Sequence, residues 1–165
     1  MMRARLWGWW LLALPLLPIL LPMALYTRRT ALRLPQAGGP QQGLSGALRP
    51  GTPLRLLLLG ESGVAGGGVD CQAQALAGQL AQALVERQGC AVAWQACGEN
   101  GITARQAQER LLPLGLASQA DLVLLVFGVN DITHLSSLRA WRQALTQMAE
   151  ALQAHRGAGP DRRSV

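Results

Sequence analysis

The stretch LRLLLLGESGVAGGGVD, residues 54–70, decides how the rest of the chain is interpreted. It begins with a short apolar run, residues 54–59, that stops abruptly at a glycine. Such a run is typical of a buried strand in a parallel sheet. A single serine, Ser62, follows in a glycine-rich turn, and the small neighbours leave its hydroxyl open to close approach. The stretch therefore predicts a buried strand that presents one serine at its carboxyl end.

Further along the chain, apolar runs of strand length alternate with amphipathic helical segments. The predicted strands after the first are residues 90–97 and 121–128, and the predicted helices are residues 71–88, 103–112 and 136–154. Gly89 is placed to end the first helix, Thr103 to cap the second, and Pro113 to follow it. The order β-α-β-α-β-α predicts an α/β domain with a parallel sheet and right-handed crossovers.

All three predicted strands end in glycine and small polar residues: GESG, GENGITA and GVNDITH. Ligands of open α/β sheets bind outside the carboxyl ends of the strands. Ser62 offers a hydroxyl there, which becomes a nucleophile when a base takes its proton. Gly101 offers a backbone N–H at the N-terminus of the following helix, and Asn130 offers a side-chain amide. Both groups are donors suited to a developing oxyanion. Gly98 is the alternative to Gly101.

Phosphate-binding motifs fit this glycine-rich stretch less well. A P-loop requires a lysine, and the chain has none; a G-x-G-x-x-G fingerprint does not fit either. The G-x-S-x-G elbow fails because Val64 occupies the position of its second glycine. A plain tight turn between strand and helix remains the alternative.

The three blocks resemble those of the SGNH hydrolases, also called GDSL-type esterases and lipases. In that family a Gly-Asp-Ser block follows the first strand, a glycine follows the second, and a Gly-x-Asn-Asp block follows the third. The matching residues are Gly60-Glu61-Ser62, Gly101, and Gly128-Val129-Asn130-Asp131, within a resemblance that covers about residues 54–154. Glu61 replaces the usual aspartate.

The resemblance implies a flavodoxin-like, three-layer α/β/α fold with a parallel sheet, in which three strands are visible, and hydrolysis of esters. Ser62 would attack the carbonyl group, and the N–H groups of Ser62 and Gly101 with the Asn130 amide would hold the oxyanion. No metal or cofactor is implied.

The family pattern also includes a late Asp-x-x-His block, which supplies the general base, and this block is absent from the sequence. DITH, residues 131–134, spells the motif but overlaps the asparagine block, so we interpret His134 as a loop residue and His155 as a solvated residue at the end of the last helix. A sheet of three strands would also leave an edge and a face under-covered. We hypothesise a truncated or frame-interrupted version of a longer hydrolase.

Three functions are compatible with these residues. The first is a serine esterase that is anchored to a membrane and whose activity is weakened or lost in this form. The second is a catalytically inactive, membrane-tethered binding module derived from such an enzyme. The third is a small structural membrane protein in which both blocks are only turns.

The segments outside the predicted domain differ from it in composition. Residues 7–26 carry no charge and match the roughly 20 residues that cross a bilayer, so residues 1–34 are interpreted as a single-pass anchor of unresolved orientation, or alternatively as a cleaved secretion signal. Residues 35–53 are rich in Pro, Gly and Gln and predict a flexible linker. Residues 54–155 form the hydrolase-like domain, and residues 156–165 are predicted to be a disordered tail.

The formal net charge of +6 lies in the terminal segments. The first 50 residues hold six arginines and no acidic residue, whereas residues 51–155 hold six arginines and eight acidic residues. This distribution favours contacts with lipid headgroups over binding to nucleic acid. The expected partners are a membrane, through residues 7–26, and a small-molecule ester or lipid-like substrate.

The three cysteines, Cys71, Cys90 and Cys97, lack the spacing of a zinc or thioredoxin-like site. They are interpreted as small buried residues, with a Cys71–Cys90 disulfide as the alternative in an oxidising compartment.

Overall fold

The structure is a computed structural model that describes residues 14–30 and 34–157. The chain forms two compact units, residues 1–34 and 35–165. In the first unit, a 3₁₀ turn at Leu14–Leu16 precedes helix α1 (Leu17–Thr30). Within the described ranges, no helix has both the length and the apolar character needed to span a bilayer. The predicted segment 7–26 lies partly outside these ranges, and the N-terminal hydrophobic helix is not confirmed.

The second unit is built on a sheet of four strands. These are β1 (Gln42–Ser45), β2 (Leu54–Gly60), β3 (Val92–Gly98) and β4 (Leu122–Val126), in the order β1-β3-β2-β4. Strand β2 lies between β3 and β4 and is parallel to both, whereas β1 is antiparallel to β3. The predicted α/β class is confirmed, and the three predicted strands are parallel; the antiparallel strand β1 was not predicted.

Helices pack on both faces of the sheet because the side chains of β2 alternate between them. Leu56 and Leu58 belong to a core shared with α2 (Leu76–Gln88), whereas Leu57 and Leu59 belong to a core on the opposite face. The helices that contribute to this second core are α3 (Ala104–Arg110), α4 (Leu112–Leu116) and α6 (Leu138–Gly157). A short helix, α5 (Val129–Thr133), follows β4.

The predicted helix ends are confirmed at two positions. Gly89 ends α2 in the left-handed conformation, at φ 72°, and its N–H donates to the Val85 carbonyl. Thr103 caps α3 in a capping box with Gln106, whose side chain accepts from the Thr103 N–H. Pro113 follows α3 as predicted, but it lies in the first turn of a further short helix, α4, where its missing N–H costs no hydrogen bond.

The prediction of a flexible linker over residues 35–53 is wrong for part of that range. Residues Gln42–Ser45 form β1, which adds a fourth strand to the three predicted. The sequence QGLS has only one large apolar side chain, so it lacks the pattern that marks a strand. Gly43 explains the pairing, since a Cβ there would lie 2.6 Å from the Trp94 ring. The absence of that atom lets β1 pack directly over the indole.

Strand β4 lies at the end of the sheet, and part of it is uncovered. No other strand of the described residues pairs with its far side, and Leu122 and Leu124 are more than one third exposed. Leu122 and Leu124 are in register with Leu56 and Leu58, so their side chains lie on the same face of the sheet. On that face α2 packs against β2. The predicted under-covered edge and face are therefore confirmed.

The cysteines are all free thiols, so the alternative of a Cys71–Cys90 disulfide is not found. Cys97 is buried as predicted, whereas Cys71 and Cys90 are only partly buried.

Candidate active site

The turn after β2 presents Ser62 to solvent. The carbonyl of the buried Glu61 accepts hydrogen bonds from the N–H groups of Val64 and Ala65, both at 2.9 Å. The Ser62 carbonyl accepts one from Gly67, also at 2.9 Å. These bonds wind the backbone back on itself directly after the strand, and Ser62 is left exposed at its tip.

Residues 35–38, which were predicted to belong to a linker, pack against this turn and form backbone hydrogen bonds with it. The Ala37 N–H donates to the Ala65 carbonyl at 3.1 Å, and the Gly38 N–H donates to the Asp70 carbonyl at 3.0 Å. Gly66 has φ 70°, and a Cβ there would lie 2.5 Å from that of Ala37. The serine turn is therefore fixed by close backbone packing that its own sequence does not reveal.

The carboxylate of Glu61 joins the first strand end to the third. Its two oxygens accept hydrogen bonds from the N–H groups of Gly128 and Asn130, the latter at 3.0 Å. The Glu61 N–H donates to the Val126 carbonyl at 3.2 Å. Ser62 directly follows Glu61, so Ser62 and Asn130 lie at the same edge of the sheet.

The Asn130 side chain connects the third strand end to the second. Its amide nitrogen donates to the Ile102 carbonyl at 3.1 Å, next to Gly101. An amide NH₂ carries two hydrogens, so one remains for another acceptor. This hydrogen bond fixes the orientation of the Asn130 amide and brings the GENGITA and GVNDITH segments together.

Asp131 has a structural role that the sequence did not predict. Its side chain is buried, and one oxygen accepts from the Ala104 N–H at 2.9 Å, at the start of α3. A carboxylate at this position also complements the positive end of the helix. Asp131 therefore ties the third strand end to the helix that follows the second.

The two remaining predicted donors are unengaged. The N–H groups of Ser62 and Gly101 donate no hydrogen bond to any group in residues 14–30 or 34–157. Gly101 has φ 79° and open space where a side chain would be. Gly98 differs, because a Cβ there would lie 2.3 Å from the Ala65 nitrogen; its lack of a side chain serves close packing against the serine turn.

Neither histidine is hydrogen-bonded to Ser62. The Nδ1 atom of His134 lies 2.8 Å from the Asn130 carbonyl oxygen, and His155 is exposed on α6. No group of three His, Cys, Asp or Glu side chains within the described ranges could hold a metal ion.

These strand ends define a class of protein: an α/β domain that presents an exposed serine beside unengaged N–H groups at the carboxyl edge of a parallel sheet. The model of the GDSL-like lipase/acylhydrolase family matches residues 58–164. The chain belongs to this family.

Solved structures agree with the family assignment. The SGNH-hydrolase family esterase AlinE4 is 28% identical, with a TM-score of 0.57 over 64% of this chain and 56% of that chain. TesA is 25% identical, with a TM-score of 0.55 over 62% of this chain and 56% of TesA. The chain thus spans a little over half the length of each. A comparison with curated proteins finds no significant match.

Proposed function

We propose that this domain is a serine hydrolase that acts on ester bonds, with Ser62 as the nucleophile. The observation that carries the proposal is the position of Glu61, whose carboxylate binds the backbone of the asparagine block while the next residue exposes the serine. The oxyanion donors are the N–H groups of Ser62 and Gly101 and the free hydrogen of the Asn130 amide.

The reaction follows from these positions. Ser62 Oγ attacks the carbonyl carbon and loses its proton to a base, and the carbonyl oxygen becomes an oxyanion held by the three donors. Collapse of this intermediate breaks the ester bond and releases the alcohol, which takes up a proton. Water then hydrolyses the acyl-serine and releases the carboxylic acid. The substrate class is a small-molecule or lipid-like ester, and the chemistry assigned to these residues uses no metal or cofactor.

The general base is the missing part of this arrangement. No histidine in residues 14–30 or 34–157 is hydrogen-bonded to the Ser62 hydroxyl. Oxyanion-hole donors and substrate binding alone accelerate such reactions by about 10³–10⁴-fold over water. The same observation favours a second candidate function, a catalytically inactive binding module that retains the pocket.

Attachment to a membrane is proposed for either function. The uncharged segment 7–26, with arginines on both sides, supports a single-pass N-terminal anchor, and secretion after cleavage of this segment is the alternative.

The experiment that separates the two functions compares the native chain with Ser62→Ala on a short-chain p-nitrophenyl ester. The hydrolase predicts a slow, saturable rate that Ser62→Ala abolishes, and labelling of Ser62 by a fluorophosphonate. Ser45→Ala is the control, because Ser45 lies in β1 opposite Val92, at the amino-terminal end of β3, and has no proposed role. Equal rates for native protein and Ser62→Ala, without fluorophosphonate labelling, would contradict the hydrolase and support the binding module.

A further inference from the structure

We propose that α5, the turn after it and the start of α6 form a surface that docks on an anionic lipid layer. This docking surface consists of four exposed apolar side chains and two arginines: Val129, Ile132, Leu135, Leu138, Arg139 and Arg142. Ile132 and Leu138 line one cavity of about 290 Å³, so they are neighbours in space. Val129 precedes Ile132 by three positions and lies on the same side of α5.

The apolar side chains are exposed to an unusual extent. Their exposed fractions are 72% for Val129, 75% for Ile132, 89% for Leu135 and 66% for Leu138. Single exposed leucines are common on protein surfaces, but contiguous apolar patches mark interaction sites. Four such residues fall within ten positions of the chain, beside the candidate oxyanion donor Asn130.

The backbone holds the most exposed of these side chains in a costly conformation. Leu135 has φ 56°, in the left-handed region that branched, bulky residues avoid. Its N–H donates to the Ile132 carbonyl at 3.1 Å, and the Ser136 N–H donates to the Asp131 carbonyl at 2.8 Å. Strain that the surrounding hydrogen bonds maintain is a feature of functional segments. Here the strained turn directs a leucine into solvent.

The charges beside the patch select the partner. Arg139 and Arg142 are exposed at the start of α6 and form no ion pair within the described residues. The positive end of the helix dipole adds to their charge. Asp131 is the only acidic residue in positions 128–147, and it is buried against Ala104. Apolar side chains bordered by arginine fit an interface of acyl chains and anionic headgroups.

A second copy of the chain fits this surface less well than a lipid layer. Four side chains expose several hundred Å², whereas stable protein interfaces bury roughly 800 Å² on each partner. Two copies joined through the patch would also bring four unpaired arginines together. A lipid layer accepts apolar side chains of this size and neutralises the arginines.

The test measures amide hydrogen exchange of the full chain with and without vesicles of phosphatidylglycerol or phosphatidylcholine. A local readout is needed because an anchor at residues 7–26 would bind vesicles by itself. We expect slower exchange within residues 129–138 on phosphatidylglycerol, and no change at residues 86–90 at the opposite edge of the sheet. Because exchange requires no turnover, the result does not depend on whether Ser62 is reactive.

Two double variants separate the contribution of the apolar side chains to docking from that of the arginines. Ile132→Ser with Leu135→Ser should remove the protection on phosphatidylglycerol. Arg139→Gln with Arg142→Gln should reduce docking on phosphatidylglycerol up to about 25-fold, since each arginine near an anionic surface contributes about fivefold. Arg87→Gln, at the opposite edge, should change nothing.

Two results would overturn the proposal. One is unchanged exchange at residues 129–138 on phosphatidylglycerol vesicles that carry the bound protein. The other is protection that appears without lipid and increases with protein concentration, because it would identify a second copy as the partner.

Discussion

The Glu61 carboxylate accepts a hydrogen bond from the Asn130 backbone N–H at 3.0 Å, although the two residues are 69 positions apart. A second bond, to the Gly128 N–H, makes the contact bidentate. A carboxylate suits this position because it offers only acceptors to two N–H groups. The side chain that precedes the candidate nucleophile therefore fixes the geometry of the candidate oxyanion donor.

Replacing Glu61 with glutamine should destabilise the domain. The amide can accept through only one atom, so one backbone N–H faces an NH₂ group and loses its partner. We expect a loss of about 1.5–3 kcal/mol in the free energy of unfolding, the range for a hydrogen bond to a charged group. Urea unfolding followed by circular dichroism measures it. Glu109→Gln, an exposed glutamate in α3, is the matched control and should have little effect. Equal stability of the two variants would show that the bidentate contact contributes nothing.

Replacing Asn130 with alanine should raise the activation free energy of ester hydrolysis by more than it lowers the free energy of unfolding. Loss of one oxyanion donor costs about 10²–10³-fold in rate, equivalent to about 2.7–4 kcal/mol in the transition state. Initial rates with a p-nitrophenyl ester, corrected for spontaneous hydrolysis, measure the effect. His134→Ala is the control, because within the described residues the His134 imidazole is hydrogen-bonded only to the Asn130 carbonyl and the Thr133 hydroxyl. A large rate loss in His134→Ala would instead identify this histidine as the missing base.

The alternation of strands and helices was predictable because these segments carry strong patterns. The apolar run of β2 and the caps at Gly89 and Thr103 each follow from local chemistry, and all three are found. Strand β1 was not predictable, because it depends on a glycine at Gly43 fitting the face of Trp94, a contact between segments about 50 residues apart.

The candidate site was predictable in its residue types but not in its connections. Sequence blocks alone predicted that Ser62 and Asn130 share an edge. The roles of Glu61 and Asp131 were missed because a carboxylate in a turn has no pattern that shows which distant N–H it will bind. For Glu61, the only signal was its conservative replacement of the aspartate usual in that block.

Burial of Cys97 should make stability depend on pH in the alkaline range. Burial raises the pKa of the Cys97 thiol above its usual value, and a contact from Gln95 only partly opposes this effect. The neutral thiol is favoured in the folded state, so this contribution is complete below the pKa of the unfolded chain, about 8.5, and declines as the pH rises above it. The free energy of unfolding should therefore fall more steeply between pH 8 and 10 for the native chain than for Cys97→Ala. Parallel slopes would exclude Cys97 as the source.

Three glycine-to-alanine substitutions, two in the turn that carries Ser62 and one at the end of α2, should separate backbone strain from steric overlap. At Gly63 a Cβ meets nothing within 4 Å and no positive φ is imposed, so Gly63→Ala should be neutral or slightly stabilising. At Gly89 the space is open but φ is 72°, so Gly89→Ala should cost about 1–2 kcal/mol for the left-handed conformation alone. At Gly66 the positive φ is combined with an overlap 2.5 Å from the Ala37 Cβ, so Gly66→Ala should cost more than Gly89→Ala. Thermal unfolding of the three variants measures the order. If Gly66→Ala were no worse than Gly89→Ala, residues 35–38 would not restrain the turn that carries Ser62.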